Sequence, residues 1–293
     1  MRDDFIPTTC TIGEAMIHQI ALTIEDGIVA FHGFGSPLVQ LALHLAKRTH
    51  APHMALVAGA AYGVNPTPPF LSPTSNDWVM DREAECHLGI EELFDLAASG
   101  RIGRMFLSGL QIDRWGSMNV TRIGQEHLRL KLPGGGGGCN LSCDAARVTL
   151  WSAAHRTPLD SNGRRRFRLV DHCDFITSVG HRSVDGKNRS EMGHRGEGPD
   201  WLVTELGVFD FDERGQARLV ALYPDVDLDD VRESTGFDFP VRDDCGPTQQ
   251  PTAEIVRFIR ALDPLQIHQR ELRSEERARH FALASTAGDG YGR

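Results

Sequence analysis

Apolar residues recur at helical spacing in Met16, Ile17, Ile20, Ala21 and Ile24, directly after the capping-box pattern Thr11-Ile12-Gly13-Glu14. They predict a first helix that ends at Gly27. Ile28-Val29-Ala30-Phe31 follows as a β-branched and aromatic run and predicts a buried strand. His32-Gly33-Phe34-Gly35-Ser36-Pro37 then closes the strand with glycines, offers Ser36 as N-cap and Pro37 as first helical residue, and leads into Leu38, Leu41, Ala42 and Leu45. The alternation continues with a strand over residues 54–57, a helix on Ile90, Leu93, Phe94 and Ala97 ended by Gly100, and a strand over 105–107. Strands alternating with helices predict an α/β domain whose open, mostly parallel sheet is flanked by helices.

Beyond residue 125 the pattern becomes richer in strands. Residues 128–132, 148–151, 175–177, 202–204 and 220–222 read as strands, so the C-terminal half is expected to be β-rich. Residues 207–211 and 217–223 flank the turn Asp212-Glu213-Arg214-Gly215 and predict a hairpin. Ile255, Phe258, Ile259 and Leu262 share one face of a helix over 253–262. After Arg270 the chain is charged and then rich in Gly, Ser and Ala. The expected organisation is a single α/β domain over residues 1–270 with a flexible tail over 271–293.

The formal charge of −9 argues against nucleic acid or an anionic membrane as partner, since both require a basic face. The basic cluster Arg164, Arg165, Arg166 and Arg168 reads as a solvated loop entering a strand. No run reaches the roughly 20 apolar residues of a membrane span, and Met1-Arg2-Asp3-Asp4 does not open a signal sequence, so a cytoplasmic location is expected. The six cysteines then fit reduced thiols, and nothing beside Cys139 and Cys143 completes a metal tetrahedron.

The strongest local anomaly is Pro133 followed by Gly134 to Gly138 and then Cys139-Asn140. Ordering five residues without Cβ is entropically costly, so the run needs positive φ angles or a close backbone approach to a ligand. It is neither a dinucleotide fingerprint nor a P-loop, because the required spacing and the following Gly-Lys-Ser/Thr are missing. A second cluster, Gln111-Ile112-Asp113-Arg114-Trp115-Gly116-Ser117-Met118-Asn119, follows a strand where open α/β sheets bind ligands, although Asp113 to Gly116 also fits a simple turn. His32, at a strand end, is either a general base or a hydrogen-bonded core histidine.

Taken in order, these motifs resemble the β subunits of family I CoA-transferases of the glutaconate CoA-transferase type. The resemblance covers residues 13–268, and rests on Gly33 to Pro37, Thr49-His50-Ala51-Pro52, Gln111 to Asp113 with Gly116, Asn119, Thr121, Ile123 and Gly124, the glycine run, Leu202 to Thr204 with Gly207, Phe211 to Glu213, and Ser234 to Phe237. It implies a CoA-transferase-like (NagB/RpiA-like) fold. It also implies a homologous α subunit, in a heterodimer or heterotetramer, with the active site between the two chains. Coenzyme A enters as substrate, and no covalently bound cofactor is implied.

In that family a β-subunit glutamate attacks the acyl-CoA and carries CoA as a thioester to a second carboxylate. By the same resemblance, backbone N–H groups of Gly137 and Gly138 would face the developing oxyanion, each donor worth roughly 3 to 4 kcal/mol. Phe34, Gly35, Ser36, Gln111, Asn119, Gly135, Gly136, Cys139 and Asn140 would line the CoA or substrate site. By that resemblance the family glutamate falls on Gly59, or on Ala58 with a shift, and no Asp or Glu lies between Ala51 and Asn76. Three readings follow: a transferase in which another group has taken over, a thioester or ring-opening hydrolase on the same scaffold, and a non-catalytic partner subunit.

Overall fold

Residues 7–59 and 62–283 are described here from a computed structural model. Helix α1 (Ile12–Leu22) starts as the capping box requires: the Glu14 N–H donates to Thr11 Oγ1 at 3.2 Å, and the Thr11 N–H donates to the Glu14 carboxylate at 2.7 Å. Gly100, at φ +73°, supplies the left-handed turn after α3 (Ile90–Ala98), whereas α1 ends at Leu22 with Thr23 as cap, short of the expected Gly27, which turns at φ +75° before the next strand. Pro37 opens α2 (Pro37–Arg48) as expected. Ser36 does not cap it, because its hydroxyl donates to the Phe34 carbonyl at 3.4 Å.

The strands β1 (Val29–His32), β2 (Ala55–Val57), β3 (Gly63–Val64), β4 (Cys86–His87), β5 (Ile102–Leu107), β6 (Arg147–Ser152), β7 (Gly198–Thr204), β8 (Gly207–Phe211), β9 (Ala217–Leu222) and β10 (Val241–Pro247) build one sheet. Its order is β10-β9-β8-β7-β6-β5-β1-β2-β3-β4. The central strands β7, β6, β5, β1 and β2 run parallel, and antiparallel pairs flank them. The open, mostly parallel sheet is therefore confirmed, and the longer strands of the second half extend it, whereas Leu130–Lys131 and Leu169–Val170 pair in separate small sheets. The hairpin β8–β9 pairs Phe211 with Ala217 across the expected turn. The register sets Phe31 beside Val57, Leu150 beside Leu107 and Ser152 beside Thr204, so the carboxyl ends of the parallel strands form one edge. Helix α4 (Gly138–Asp144) packs on α3, while α1 and α2 pack together with α5 (Ala253–Leu262).

Two expectations are corrected. Residues 175–177 form no strand; the Thr177 N–H donates to the Met118 carbonyl at 2.9 Å as part of a loop. The segment expected to trail from residue 271 is docked as far as Leu283. Residues His280–Ala282 pair with Thr9–Thr11, Phe281 is buried, and Arg279 bridges Asp225 and Glu276. Part of its charge is taken up by these ion pairs, and the partner Asp225 lies far away in sequence. Residues 284–293 lie outside the described residues.

The sheet is cross-tied by Arg104, which is fully buried. Its guanidinium donates twice to Glu25, twice to Asp200 on β7 and once to Thr149 on β6. His155 is also fully buried and sits between the hydroxyls of Thr204 and Thr235, and burial drives its pKa down to about 3. The unfolded imidazole binds a proton near pH 6.5 while the folded one stays neutral, so this residue costs stability as pH falls below 6.5. Compared with His155→Gln, the wild type should lose about 1.4 kcal/mol per pH unit between pH 6.5 and 4. Urea titrations of both proteins across that range measure the difference; a constant gap would refute the assignment.

Candidate functional site

The carboxyl edge of the sheet carries the glycine run, and the fold explains four of its five glycines. Gly134 and Gly136 adopt φ +96° and +52°, which side chains disfavour. A Cβ at Gly135 would lie 2.5 Å from the Thr177 methyl group, and one at Gly137 would lie 2.5 Å from the Phe94 ring. The run is thus an ordered turn into α4. The Gly138 N–H donates to the Gly135 carbonyl at 2.9 Å, so it is spent within the turn. The N–H groups of Gly135, Gly136 and Gly137 have no acceptor among the described residues, and Gly136 is exposed. Successive free N–H groups with alternating φ form an anion-binding concavity. Of the two N–H groups expected to donate, that of Gly138 is therefore bonded inside the turn, while that of Gly137 is free, as is that of Gly136.

What holds this turn in place escaped sequence reasoning. Arg189 is buried, and its guanidinium donates to the carbonyls of Ser142 and Cys143 at the end of α4, and to those of Val179, Gly180 and Gly196. The cation neutralises the negative end of the helix that the glycines begin.

At the neighbouring strand ends, the Gly59 N–H donates to His32 Nε2 at 3.2 Å, which makes that nitrogen the acceptor and leaves Nδ1–H to donate to the Gly33 carbonyl at 2.8 Å. Burial lowers the His32 pKa to about 4. Both nitrogens are therefore occupied in shaping the β1 and β2 loops, and the core-histidine reading stands. A Cβ on Gly59 would meet the carbonyl oxygens of His32 and Gly33 at 2.5 and 2.7 Å, so the backbone itself fills the space a side chain needs.

The second motif is built as a turn. Asp113 Oδ1 accepts the N–H groups of Trp115 and Ser117, and Gly116 sits at φ +74°. Asn119 is fully buried: its amide donates to Gln111 Oε1 and the Arg122 carbonyl, and its oxygen accepts from Thr121 and Arg122. Its bonding capacity is full. Gln111 Oε1 also accepts from the Asp174 N–H. These two residues brace the loop, which departs from the expected substrate contact. Phe34 is 65% exposed and Gly35 adopts φ +61° beside it, while Ser36 is part-exposed. Cys139 packs its thiol against Asn140 Oδ1 at 3.2 Å, and the Asn140 residue is exposed at the start of α4.

A cleft of about 330 Å³ opens at the ends of β5 and β6. Leu110, Leu132, Pro133 and Trp151 give it an apolar lining, and Arg168 and Glu271 add charge. A smaller cleft, about 210 Å³, lies beside Gly35 and shares Glu271. No sequence signal singled out Glu271, which lies in the segment expected to be loose. Among the described residues no three His, Cys, Asp or Glu side chains converge as a metal site, and no helix is long and apolar enough to cross a membrane.

No protein-family model matches the chain. Over 255 residues it is 30% identical to the B subunit of the 3-oxoadipate CoA-transferase of Pseudomonas knackmussii, covering 85% of this chain and 92% of that protein. It is 27% identical over 242 residues to the cholesterol ring-cleaving hydrolase IpdB subunit of Rhodococcus jostii, covering 81% and 87%. The solved decarboxylase AibA/AibB matches at TM-score 0.75 and 30% identity over 89% of this chain and 98% of its own. Glutaconate coenzyme A-transferase from Acidaminococcus fermentans matches at TM-score 0.73 and 25% identity over 91% and 98%. Transferase, hydrolase and decarboxylase thus share one scaffold, and the chemistry of each must reside in its site residues. With the parallel sheet, the strand-end glycine turn and full-length similarity all in agreement, this chain belongs to the family I CoA-transferases, among relatives of their B subunits.

Proposed function

We propose that this chain is the β subunit of a two-chain, CoA-transferase-like enzyme acting on acyl-CoA thioesters, completed by a homologous α subunit in a heterodimer or heterotetramer. The observation that carries the reading is the exposed glycine turn, whose Gly136 and Gly137 N–H groups are free at the carboxyl edge of the sheet. Donors fixed before reaction stabilise a developing oxyanion without reorganisation. Phe34, exposed on the same edge, supports a surface that a second chain covers. Coenzyme A is the substrate carrier, and Gly35, Cys139 and Asn140 border its approach.

Gly59 favours a second reading. With backbone occupying the position of the family glutamate, the covalent glutamyl-CoA route through that residue is closed, and water can take the role of nucleophile. The test is to purify the chain with its α partner and assay CoA esters with and without a carboxylate acceptor. Free CoA released without acceptor, and no borohydride-trapped glutamyl-CoA on this chain, are expected for the hydrolytic form; acceptor dependence selects the transferase. A Gly137→Val complex that is folded and fully active would make this chain a non-catalytic partner.

A further inference from the structure

Glu271 ends a short helical turn, Ile267–Glu271, that is held rigidly from beneath. Asp263 accepts the Ile267 N–H at 2.8 Å and the His268 N–H at 3.0 Å, and the His268 ring lies at 2.6 Å from the same carboxylate. Ile267 and Leu272, on either side, are buried anchors. Glu271 Oε2 is enclosed, yet it has no hydrogen-bond partner among the described residues. The side chain lines both strand-end clefts. Trp151 Nε1, likewise enclosed and unpartnered, belongs to the larger cleft. Arg168 lines it too and has no carboxylate partner among the described residues; its Nη1 donates to the Leu110 carbonyl at 3.3 Å. Enclosed polar groups are normally satisfied, so an unmatched acceptor, an unmatched donor and an unpaired cation around one apolar cleft mark a place where a polar ligand group completes them.

We propose that Glu271 is the acid–base carboxyl of this cleft and promotes hydrolysis of an acyl-CoA thioester bound there. The inference rests on the acyl-CoA reading above and supplies the carboxyl group that Gly59 cannot. The Glu271 carboxylate takes a proton from water as the water oxygen bonds to the acyl carbon, and the electron pair of the C=O bond moves onto oxygen. When the C–S bond breaks, the carboxyl returns its proton to the departing CoA thiolate. Thioester and water become the free acid and CoA. Burial raises the Glu271 pKa to about 8, so the residue is mostly protonated at neutral pH and a stronger base than an ordinary carboxylate. The other charged side chains along the two clefts, Arg168 and Arg270, are cations that do not offset this burial.

The test uses the two-chain complex with wild-type, Glu271→Gln and Glu271→Asp chains, following thiol release from succinyl-CoA and acetoacetyl-CoA across pH. Glutamine should lower kcat by about 100-fold or more, and aspartate should restore part of the rate. KM should stay within about threefold, as expected for a group acting in the transition state. The wild-type rate should rise with pH and level off above about 8. In parallel, dicyclohexylcarbodiimide, which attacks protonated carboxyls in apolar clefts, should label Glu271 at neutral pH, with succinyl-CoA protecting it. Absence of that label overturns the proposal whether or not the complex is active. A labelled Glu271 together with wild-type turnover in the glutamine variant overturns it while leaving the acyl-CoA reading intact. A labelled complex that releases no thiol overturns the hydrolytic role, and if it binds neither CoA ester, the acyl-CoA reading falls with it.

Discussion

Replacing Arg189 with methionine should lower the unfolding free energy by about 3 kcal/mol, the scale for breaking a buried polar cluster from one side. The guanidinium supplies all five of its N–H bonds to backbone carbonyls, at distances from 2.7 to 3.3 Å. Methionine fills similar volume but removes these five bonds, leaving only the Cys143 carbonyl with a backbone donor, the Gly196 N–H. Lysine, with three rotatable donors on one nitrogen, cannot reach the same planar set and should cost about half as much. The consequence extends beyond stability, because Ser142 and Cys143 lie at the far end of the seven-residue helix that the glycine turn begins. Loosening that end lets the turn drift, and misplacement of the proposed oxyanion donors by about 1 Å costs on the order of 100-fold in rate. Urea unfolding, together with turnover of the two-chain complex well below its melting temperature, separates the two effects. If both variants unfold like the wild type, Arg189 does not hold the turn.

The extent to which the fold was legible follows from how local each signal is. The capping box at Thr11, the hairpin at Asp212 to Gly215 and the helix at Ala253–Leu262 were readable because each is specified by residues within one turn or one face. The edge strands Gly63–Val64 and Cys86–His87 are too short to show any period. The docking of residues 271–283 depends on pairing with Thr9–Thr11 and on the ion pairs of Arg279 with Asp225 and of Glu276 with Arg156, partners remote in sequence, whereas the local composition suggested a solvated tail. The same distinction divides the site. Five adjacent glycines announce a constrained backbone, and the structure meets that expectation with two positive φ angles and two close side-chain contacts. Which N–H groups stay free depends on where α4 begins, and that fixed Gly138 inside the turn. Asn119 was legible as a polar residue near a strand end, but its saturation by Gln111, Thr121 and Arg122 was not.

Gly59→Glu, the substitution that would place a carboxylate where the family resemblance puts the nucleophile, should instead destabilise the chain by about 2 to 3 kcal/mol and yield no glutamyl-CoA. The steric part comes first: a Cβ here meets the His32 and Gly33 carbonyl oxygens at 2.5 and 2.7 Å, and both belong to the backbone, where no rotamer change can relieve the contact. Making room requires moving the end of β1, which breaks the Gly59 N–H bond to His32 and the His32 bond to Gly33. Gly59→Ala isolates this cost and should already show most of it. The electrostatic part follows, since a carboxylate forced against carbonyl oxygens gains no donor and its charged form is disfavoured. Urea titrations of both variants, and borohydride trapping of the glutamate variant in the two-chain complex, decide the matter. A neutral Gly59→Ala would show that the β1 loop yields, and a trapped thioester would show that the ancestral attack geometry survives. If neither occurs, the backbone around Gly59 excludes a carboxylate there, and the acyl-CoA chemistry proposed for this chain has to proceed through groups elsewhere on the carboxyl edge.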